Sequence, residues 1–491
     1  MKTSPKKVAI IGGGIAGLAT AYSLEEKAAR KEKPISITIL ERDNRIGGNI
    51  LTAREDGFLI EGGPDCFLSE KPWAIKLCEK LGIGNSLLCT NDEYRRTFVL
   101  WKGRLCELPE GVILMIPTRL FPFVRSNLLS FKGKVRAAMD FFIPKRRSEG
   151  DESLSEFVRR RLGQDILDKI AEPLVAGIHA GNPDTMSVKS TFPKFIKLEE
   201  EYGSLIKGMI IRRKMMHNPY LRQGVSGRDL PQYTMFMTLK GGLDELPQRI
   251  VKGMKGTTIL KNKEVLSIEK YTPVIPSYDK GGNKLYKIYL KDGEIFDSHA
   301  VVFATPSYET AKILNRLNSP LSEMLNKIPY ISTATVSLAY RKDSISHTMN
   351  GFGFVVPRLE KRKIMAATWV SRKFSCRSPD DSFLIKCFVG GYYNEGLVSL
   401  GDRDMVSMVR EELRDIMGIS ADPVLTRIYR WEKAMPQYIV GHDEMLSILD
   451  TRLSGLPGIF ITGSAYRGVG IPDCIHDADS TAEKVLHFLD V

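Results

Sequence analysis

The sequence predicts an α/β fold: a parallel sheet with helices packed on it, broken by a helical insertion and accompanied by a second, mixed sheet. Three observations carry this. Residues 7–11 form a short apolar run that leads through Gly12-x-Gly14-x-x-Gly17 into a helix-forming stretch from Ile15 to about Lys27, and a second apolar run, 35–40, ends at Glu41. Near the other end of the chain, 458–462 reads as a buried strand, 463–470 as a glycine-rich loop and 477–489 as a closing helix with Asp477, Asp479 and Ser480 as its N-terminal signals. Between these ends lie a helix-rich stretch from Lys80 to about Arg228 and a β-rich stretch with strands at 334–340, 353–356, 364–369 and 383–389, followed by a helix at 402–417.

Each part of the first unit has a physical job. Gly12 makes the tight turn from strand to helix, Gly14 leaves room for a diphosphate against the backbone, and Gly17 lets helix and strand pack closely. The helix N-terminus at Gly13, Ile15 and Ala16 offers free N–H groups and a partial positive charge. Glu41 is an acceptor suited to a ribose hydroxyl and would repel a 2′-phosphate. The charged stretch 25–33 accounts for its late position. These features define a Rossmann-type dinucleotide site.

A second glycine pair, Gly47-Gly48, follows beside Arg45, and a strand at 58–60 leads to Gly62-Gly63-Pro64-Asp65. A long cofactor running over the sheet edge needs such backbone donors and a cation for its phosphates. If that cofactor ends in a flavin ring, the dipole of the closing helix stabilises negative charge on the reduced ring. Short runs at 258–260, 264–268, 284–290 and 300–304 read as returns to the first sheet, with hairpin turns in the Pro-rich loop 271–278 and at Gly281-Gly282. Ser153 with Glu156 is a capping signal for a helix through Leu162.

With 43% hydrophobic and 26% charged residues the chain is globular, and at about 150 residues per domain its length suggests roughly three units. Its seven cysteines never form a CxxC pair, which argues against a disulfide framework or zinc ribbon and fits a reducing cytosol. The seven histidines show no metal spacing, so no metal site is expected. No stretch reaches the ~18 apolar residues a membrane span needs. The nearest, 112–129, is broken by Pro117 and Pro122 and carries Arg119 and Arg125, a segment to lie on a membrane without crossing it.

The net charge is +13, and residues 94–230 hold 25 Lys and Arg against 15 acidic residues, with clusters at 145–147, 159–161 and 212–214. Solvated helix faces are one reading; attraction of an anionic substrate or lipid headgroup is the other. Nucleic acid is disfavoured, since no binding motif accompanies the charge.

The residues 12–18, 41–48, 62–65, 239–242 and 463–475 together resemble the amine oxidase and phytoene desaturase superfamily of flavoproteins, which share a glutathione reductase-like fold. Three stretches, 172–182, 435–442 and 466–474, narrow the likeness to the oxygen-dependent porphyrinogen oxidases of haem synthesis, of the bacterial soluble type. The resemblance implies noncovalent FAD and a six-electron aromatisation of a porphyrinogen, with oxygen reduced to hydrogen peroxide. Coproporphyrinogen III is the favoured substrate because the chain is cationic, and protoporphyrinogen IX is the alternative. Another FAD amine oxidase or desaturase, or a non-enzymatic binding protein like the Rab GDP-dissociation inhibitors, is a more remote reading.

By position, cofactor contacts carry over to Gly12, Gly13, Gly14, Ile15, Ala16, Gly17, Glu41, Arg42, Gly48, Asn49, Gly63, Pro64, Asp65, Cys66, Val265, Trp431, Ser464, Val469, Gly470 and Ile471. No catalytic side chain is expected, because hydride transfer to flavin N5 needs none. Lys71 and His179 are the substrate candidates, against the plainer readings of a surface lysine and a buried imidazole. His179 stands where bacterial members often have Tyr, and Asp65 where membrane-associated eukaryotic enzymes have Arg.

The implied units are FAD-binding segments at 1–86, 229–305 and 451–491, a helical substrate or membrane-surface unit at 87–228, and a substrate unit at 306–450. The expected setting is cytoplasmic, with room for peripheral contact at the inner face of the membrane, a homodimer, and hand-over to the next haem-pathway enzyme.

Overall fold

The computed structural model describes residues 5–113, 115–146, 150–217, 233–271 and 285–490. The expected turns at 272–278 and Gly281-Gly282, together with Arg147, lie outside the described residues.

Five parallel strands form the first sheet, in the order Thr257–Leu260, Ile35–Leu40, Lys6–Ile11, Ala300–Phe303 and Ile459–Ile461. Side chains alternate across a strand, so each face gathers its own apolar set. Val8, Ile10, Ile37, Ile39, Ala300 and Val302 pack under helices Ile15–Arg30 and Ile471–Phe488. Ala9, Ile11, Leu40, Val301 and Phe303 face an antiparallel three-stranded layer of Val265–Tyr271, Leu285–Leu290 and Ile295–Ser298. Residues from the start, middle and end of the chain therefore share one sheet.

The closing helix begins at Ile471, six residues before the expected start. Pro472 sits in its first turn, where a missing N–H costs nothing, and Gly470 caps it. Asp477 is thus a helix-interior residue, whose carboxylate accepts from Thr462 Oγ1 at 2.8 Å and from Gly463 N–H at 3.2 Å, tying helix to strand end.

The second sheet has seven strands, ordered Leu425–Pro436, Tyr330–Arg341, Ser382–Gly390, Ile364–Trp369, Gly353–Val355, Thr97–Trp101 and Arg104–Glu107. Only the pairing of Gly353–Val355 with Thr97–Trp101 is parallel. The two outer strands at 97–107 lie within the stretch read as helical from residue 87, a difference explained by Val99 and Leu100 being fully buried between separate cores. The insertion proper is helical, with Leu154–Arg161, Glu172–His179, Pro193–Tyr202 and Leu205–His217 around a core of Phe157, Val158, Ile170, Val175, Phe195 and Leu198. Ser153 and Glu156 form the expected capping box.

The basic cluster 159–161 does not face outward as a group. Arg161 is fully buried, with Asp140 at 2.5 Å and the carbonyls of Ile143 and Gly203 as acceptors at 2.9 Å. Arg160 pairs with Glu199 at 2.6 Å and Glu152 at 2.7 Å. Much of the local cationic surplus therefore serves the insertion's own interior.

Candidate cofactor and substrate site

Gly12 adopts φ +108°, and a Cβ there would fall 2.8 Å from Ala304 O, so only glycine fits the turn. A Cβ on Gly17 would fall 2.0 Å from Gly12 O. Gly14 differs. A Cβ there would meet only Gly48 Cα, at 3.8 Å, so its near side is open. The first intrahelical bond is Leu18 N–H to Gly14 O, which leaves the N–H groups of Ile15, Ala16 and Gly17 outside the helical ladder at that opening. Glu41 is buried and accepts from Gly13 N–H at 2.6 Å through one oxygen and from Asp43 N–H at 2.8 Å through the other. It is thereby aimed beside the turn with acceptor capacity remaining.

The second glycine pair closes onto the first. Gly47 N–H donates to Gly13 O at 2.9 Å, and Arg45 donates to Gly48 O at 2.6 Å. Arg45 thus braces its own turn while keeping its charge and further donors. Arg42 is exposed and pairs with Glu309 at 3.3 Å. From Gly48 the chain passes Asn49, whose carbonyl oxygen would lie 1.9 Å from a Cβ on Gly63. Trp431 Nε1 donates to Gly62 O at 2.8 Å, and Ala16 Cβ lies 3.9 Å from where a Cβ on Gly463 would stand. Gly12 to Gly17, Glu41, Gly48, Asn49, Gly63, Trp431 and Gly463 are thus one connected surface. Val265 stands buried at the start of its strand, beyond Lys263, whose N–H donates to Glu41 O at 2.8 Å.

Beside Gly63 lies a buried group of charges. Lys373 Nζ is 3.2 Å from Asp65 Oδ2 and 3.3 Å from Cys66 Sγ, and Lys386 Nζ donates to Gly63 O. Burial raises the Asp65 carboxyl, but Lys373 and Lys386 outweigh it and hold the group at about 2. Cys66 is pushed up to about 12, mainly by burial and then by Asp65. Burial also lowers Lys386. Sequence reasoning missed both lysines: the one available signal for Lys386 is a lone cation inside the apolar run 383–389, and nothing in the sequence marks Lys373.

The C-terminal loop completes the surface. Val469 leads to Gly470, which caps helix Ile471–Phe488 without a side-chain bond, so that helix also presents free N–H groups. Ser464 O accepts from the Tyr438 hydroxyl at 2.7 Å. Lys71 is not a free surface lysine, because both oxygens of Asp473 in the first helical turn hold it. His179 ends helix Glu172–His179 half-buried against Phe192, with ring centroids 5.7 Å apart. Burial, and then the charge of Lys71, lowers it to about 4. His179 is therefore neutral at physiological pH.

Two helix N-termini without side-chain caps, an open glycine between close-packed ones, and an acidic acceptor at the end of the second strand fit an extended dinucleotide. The fold and this surface define an oxidoreductase of the FAD-binding, glutathione reductase-like class. Residues 15–486 match the flavin containing amine oxidoreductase family, and the chain belongs to it. It is 35% identical over 490 residues to a coproporphyrinogen III oxidase of Bacillus subtilis, covering all of both chains. It is also 30% identical to chloroplastic protoporphyrinogen oxidase 1 of Arabidopsis thaliana, covering 98% of this chain and 88% of that one. The crystal structure of a provisionally named protoporphyrinogen oxidase from Exiguobacterium superposes with a TM-score of 0.83 at 32% identity over the whole of both chains.

Proposed function

We propose that this FAD-dependent oxidoreductase oxidises coproporphyrinogen III to coproporphyrin III in haem synthesis. The observation that carries it is end-to-end similarity, at 35% identity, to a chain named for that activity. Bound FAD would supply the two-electron acceptor for each of the three oxidations that aromatisation of the porphyrinogen requires, with dioxygen as the final acceptor, reduced to hydrogen peroxide. The chain's own part is to hold the cofactor on the residues 12–17, 41, 48–49, 63–66, 431 and 464–471, with a neutral His179 and a charge-balanced Lys71 as the candidates to meet the substrate. The test is anaerobic reduction of the bound flavin by coproporphyrinogen III and protoporphyrinogen IX in parallel, in detergent. Faster reduction by the tetracarboxylate is expected, and a clear preference for the dicarboxylate overturns the substrate assignment.

The cationic surplus supports this choice less than its size suggests, since Arg160 and Arg161 are internally paired. Protoporphyrinogen IX remains a second reading, favoured by an apolar face. Phe121, Phe131 and Phe142 are 71%, 81% and 86% exposed, and Val124, Val135 and Met139 are exposed with them. Lys134 Nζ donates to Val124 O at 2.7 Å, so helices Leu120–Arg125 and Phe131–Ala138 are neighbours. Residues 119–139 carry five cations and no acidic residue. Apolar side chains among cations suit an anionic bilayer surface. No helix among the described residues is long and apolar enough to cross a membrane. Sedimentation with phosphatidylglycerol vesicles, and loss of it in F131S/F142S, is the expected result; equal recovery of both proteins in the supernatant rejects this contact.

The proposed units are a flavin-binding body from 1–86, 229–305 and 451–491, a helical insertion, and a substrate body from 306–450 to which the strands at 97–107 add.

A further inference from the structure

Residues 437–443 link three parts of the molecule. On the cofactor side, the Tyr438 hydroxyl donates to Ser464 O at 2.7 Å and accepts from Gly468 N–H at 2.7 Å, so one phenol spans the glycine-rich loop. The Tyr438 ring stacks on His442 with centroids 4.1 Å apart, and His442 Nε2 lies 3.0 Å from Tyr466 O. The loop is therefore held at both ends and in the middle. Tyr438 and His442 are only 5% and 2% exposed.

On the substrate side, Gln437 Nε2 donates to His179 O at 3.0 Å, where helix Glu172–His179 ends. Gly181 comes so near that a Cβ on it would fall 2.3 Å from Gln437 Oε1. On the insertion side, Tyr438 O accepts from Ser187 N–H at 2.8 Å, and Val440 N–H donates to Thr185 O at 3.0 Å. Asp443 accepts from Ser190 Oγ at 2.8 Å.

The loop needs such a brace. Gly463 and Gly468 have φ values of +123° and +141°, so its two ends are glycines in conformations other residues rarely take, and glycine gives the unbraced backbone many alternatives. A buried phenol has few rotamers, and its hydroxyl here uses both a donor and an acceptor role on the same loop. Removing it leaves a part-buried carbonyl and N–H without this partner.

We propose that Tyr438 and Gln437 are positioning residues: Tyr438 shapes the loop 463–468 to receive the flavin, and Gln437 fixes the end of the substrate-side helix relative to it. Adjacent residues of one strand-to-helix connection thereby set the spacing between cofactor and substrate.

Y438F keeps the ring and its stack and removes only the hydroxyl. Its FAD dissociation constant should rise roughly ten- to hundredfold, and the visible circular dichroism of its bound flavin should change. At saturating FAD its porphyrinogen KM should stay within about twofold of wild type. Q437L should do the reverse, raising KM severalfold with FAD affinity unchanged. Wild-type FAD affinity and an unaltered flavin spectrum in Y438F overturn the proposal, as does a pair of variants that lose apoprotein stability alone. If Y438F does not fold, H442F keeps the stack and deletes the bond to Tyr466 O; its FAD affinity must then fall, and unchanged affinity overturns the proposal. The KM arm rests on the substrate reading above. Wild-type protein that oxidises neither porphyrinogen fails that reading and leaves the FAD arm standing.

Discussion

Lys71 Nζ lies 2.7 and 2.6 Å from the two carboxylate oxygens of Asp473, and this pair joins the turn before helix Trp73–Lys80 to the first turn of the C-terminal helix. A carboxylate there suits the helix dipole but opposes negative charge on a reduced flavin beside the same N-terminus. Lys71 offsets it. K71M should make the FAD midpoint potential more negative by roughly 10–20 mV, the size a partly exposed ion pair allows in a two-electron couple. K71R should restore it. A raised KM at unchanged potential would instead mark Lys71 as a direct substrate contact. Spectroelectrochemical titration beside steady-state kinetics separates the two.

The glycines of the turn should fail in different ways. G14A meets nothing closer than 3.8 Å, so the apoprotein should keep its thermal midpoint while FAD affinity falls. G17A places a methyl 2.0 Å from Gly12 O and should destabilise the apoprotein itself by more than about 2 kcal/mol. Apoprotein melting and FAD titration on both variants check this.

Glu172 is buried and accepts from Arg358 N–H at 3.0 Å; burial, with smaller contributions from Asp168 and Asp184, raises it from 4.5 to about 7. The folded chain therefore keeps a proton that the unfolded chain gives up. Stability should fall as pH rises from about 4.5 to about 7 and then level, by at most about 3 kcal/mol. E172Q should flatten that fall and be the more stable protein at pH 8. Urea denaturation at several pH values measures the difference.

R161M should lose about 3–5 kcal/mol, because it leaves Asp140 charged in a site with no solvent exposure. R159A, whose exposed guanidinium donates to exposed Gln164, should stay within about 0.5 kcal/mol. Equal losses in chemical denaturation would contradict the separation of these neighbours.

The strands at 6–11, 35–40 and 364–369 and the helix at 402–417 were legible because local apolar periodicity and flanking turns agree with their final burial. The strand Leu425–Pro436 was not, since Arg427, Arg430, Glu432 and Lys433 give it no apolar alternation at a sheet edge. Helix Ile471–Phe488 was read as starting late because Asp477 looks like a cap, and only tertiary structure shows it bonded to Thr462. The glycine turn was legible because its requirement is local. The fates of Arg45 and Lys71 were not, since nothing in a sequence says which acceptor a long cation will find first.

The five-stranded sheet takes its strands from residues 6–11, 35–40, 257–260, 300–303 and 459–461. A chain leaving the ribosome thus exposes one apolar edge of the central strand 6–11 until its neighbour at 300–303 has been made, and the edge of 300–303 in turn until the outer strand at 459–461 emerges near the end. Pairings so distant in sequence form slowly and leave partly folded species open to aggregation. Cofactor capture cannot precede the last helix, so truncation within the final twenty residues should yield a chain that is apo and aggregation-prone together. FAD present before that helix emerges should then raise the yield of soluble protein no further than FAD supplied as synthesis ends.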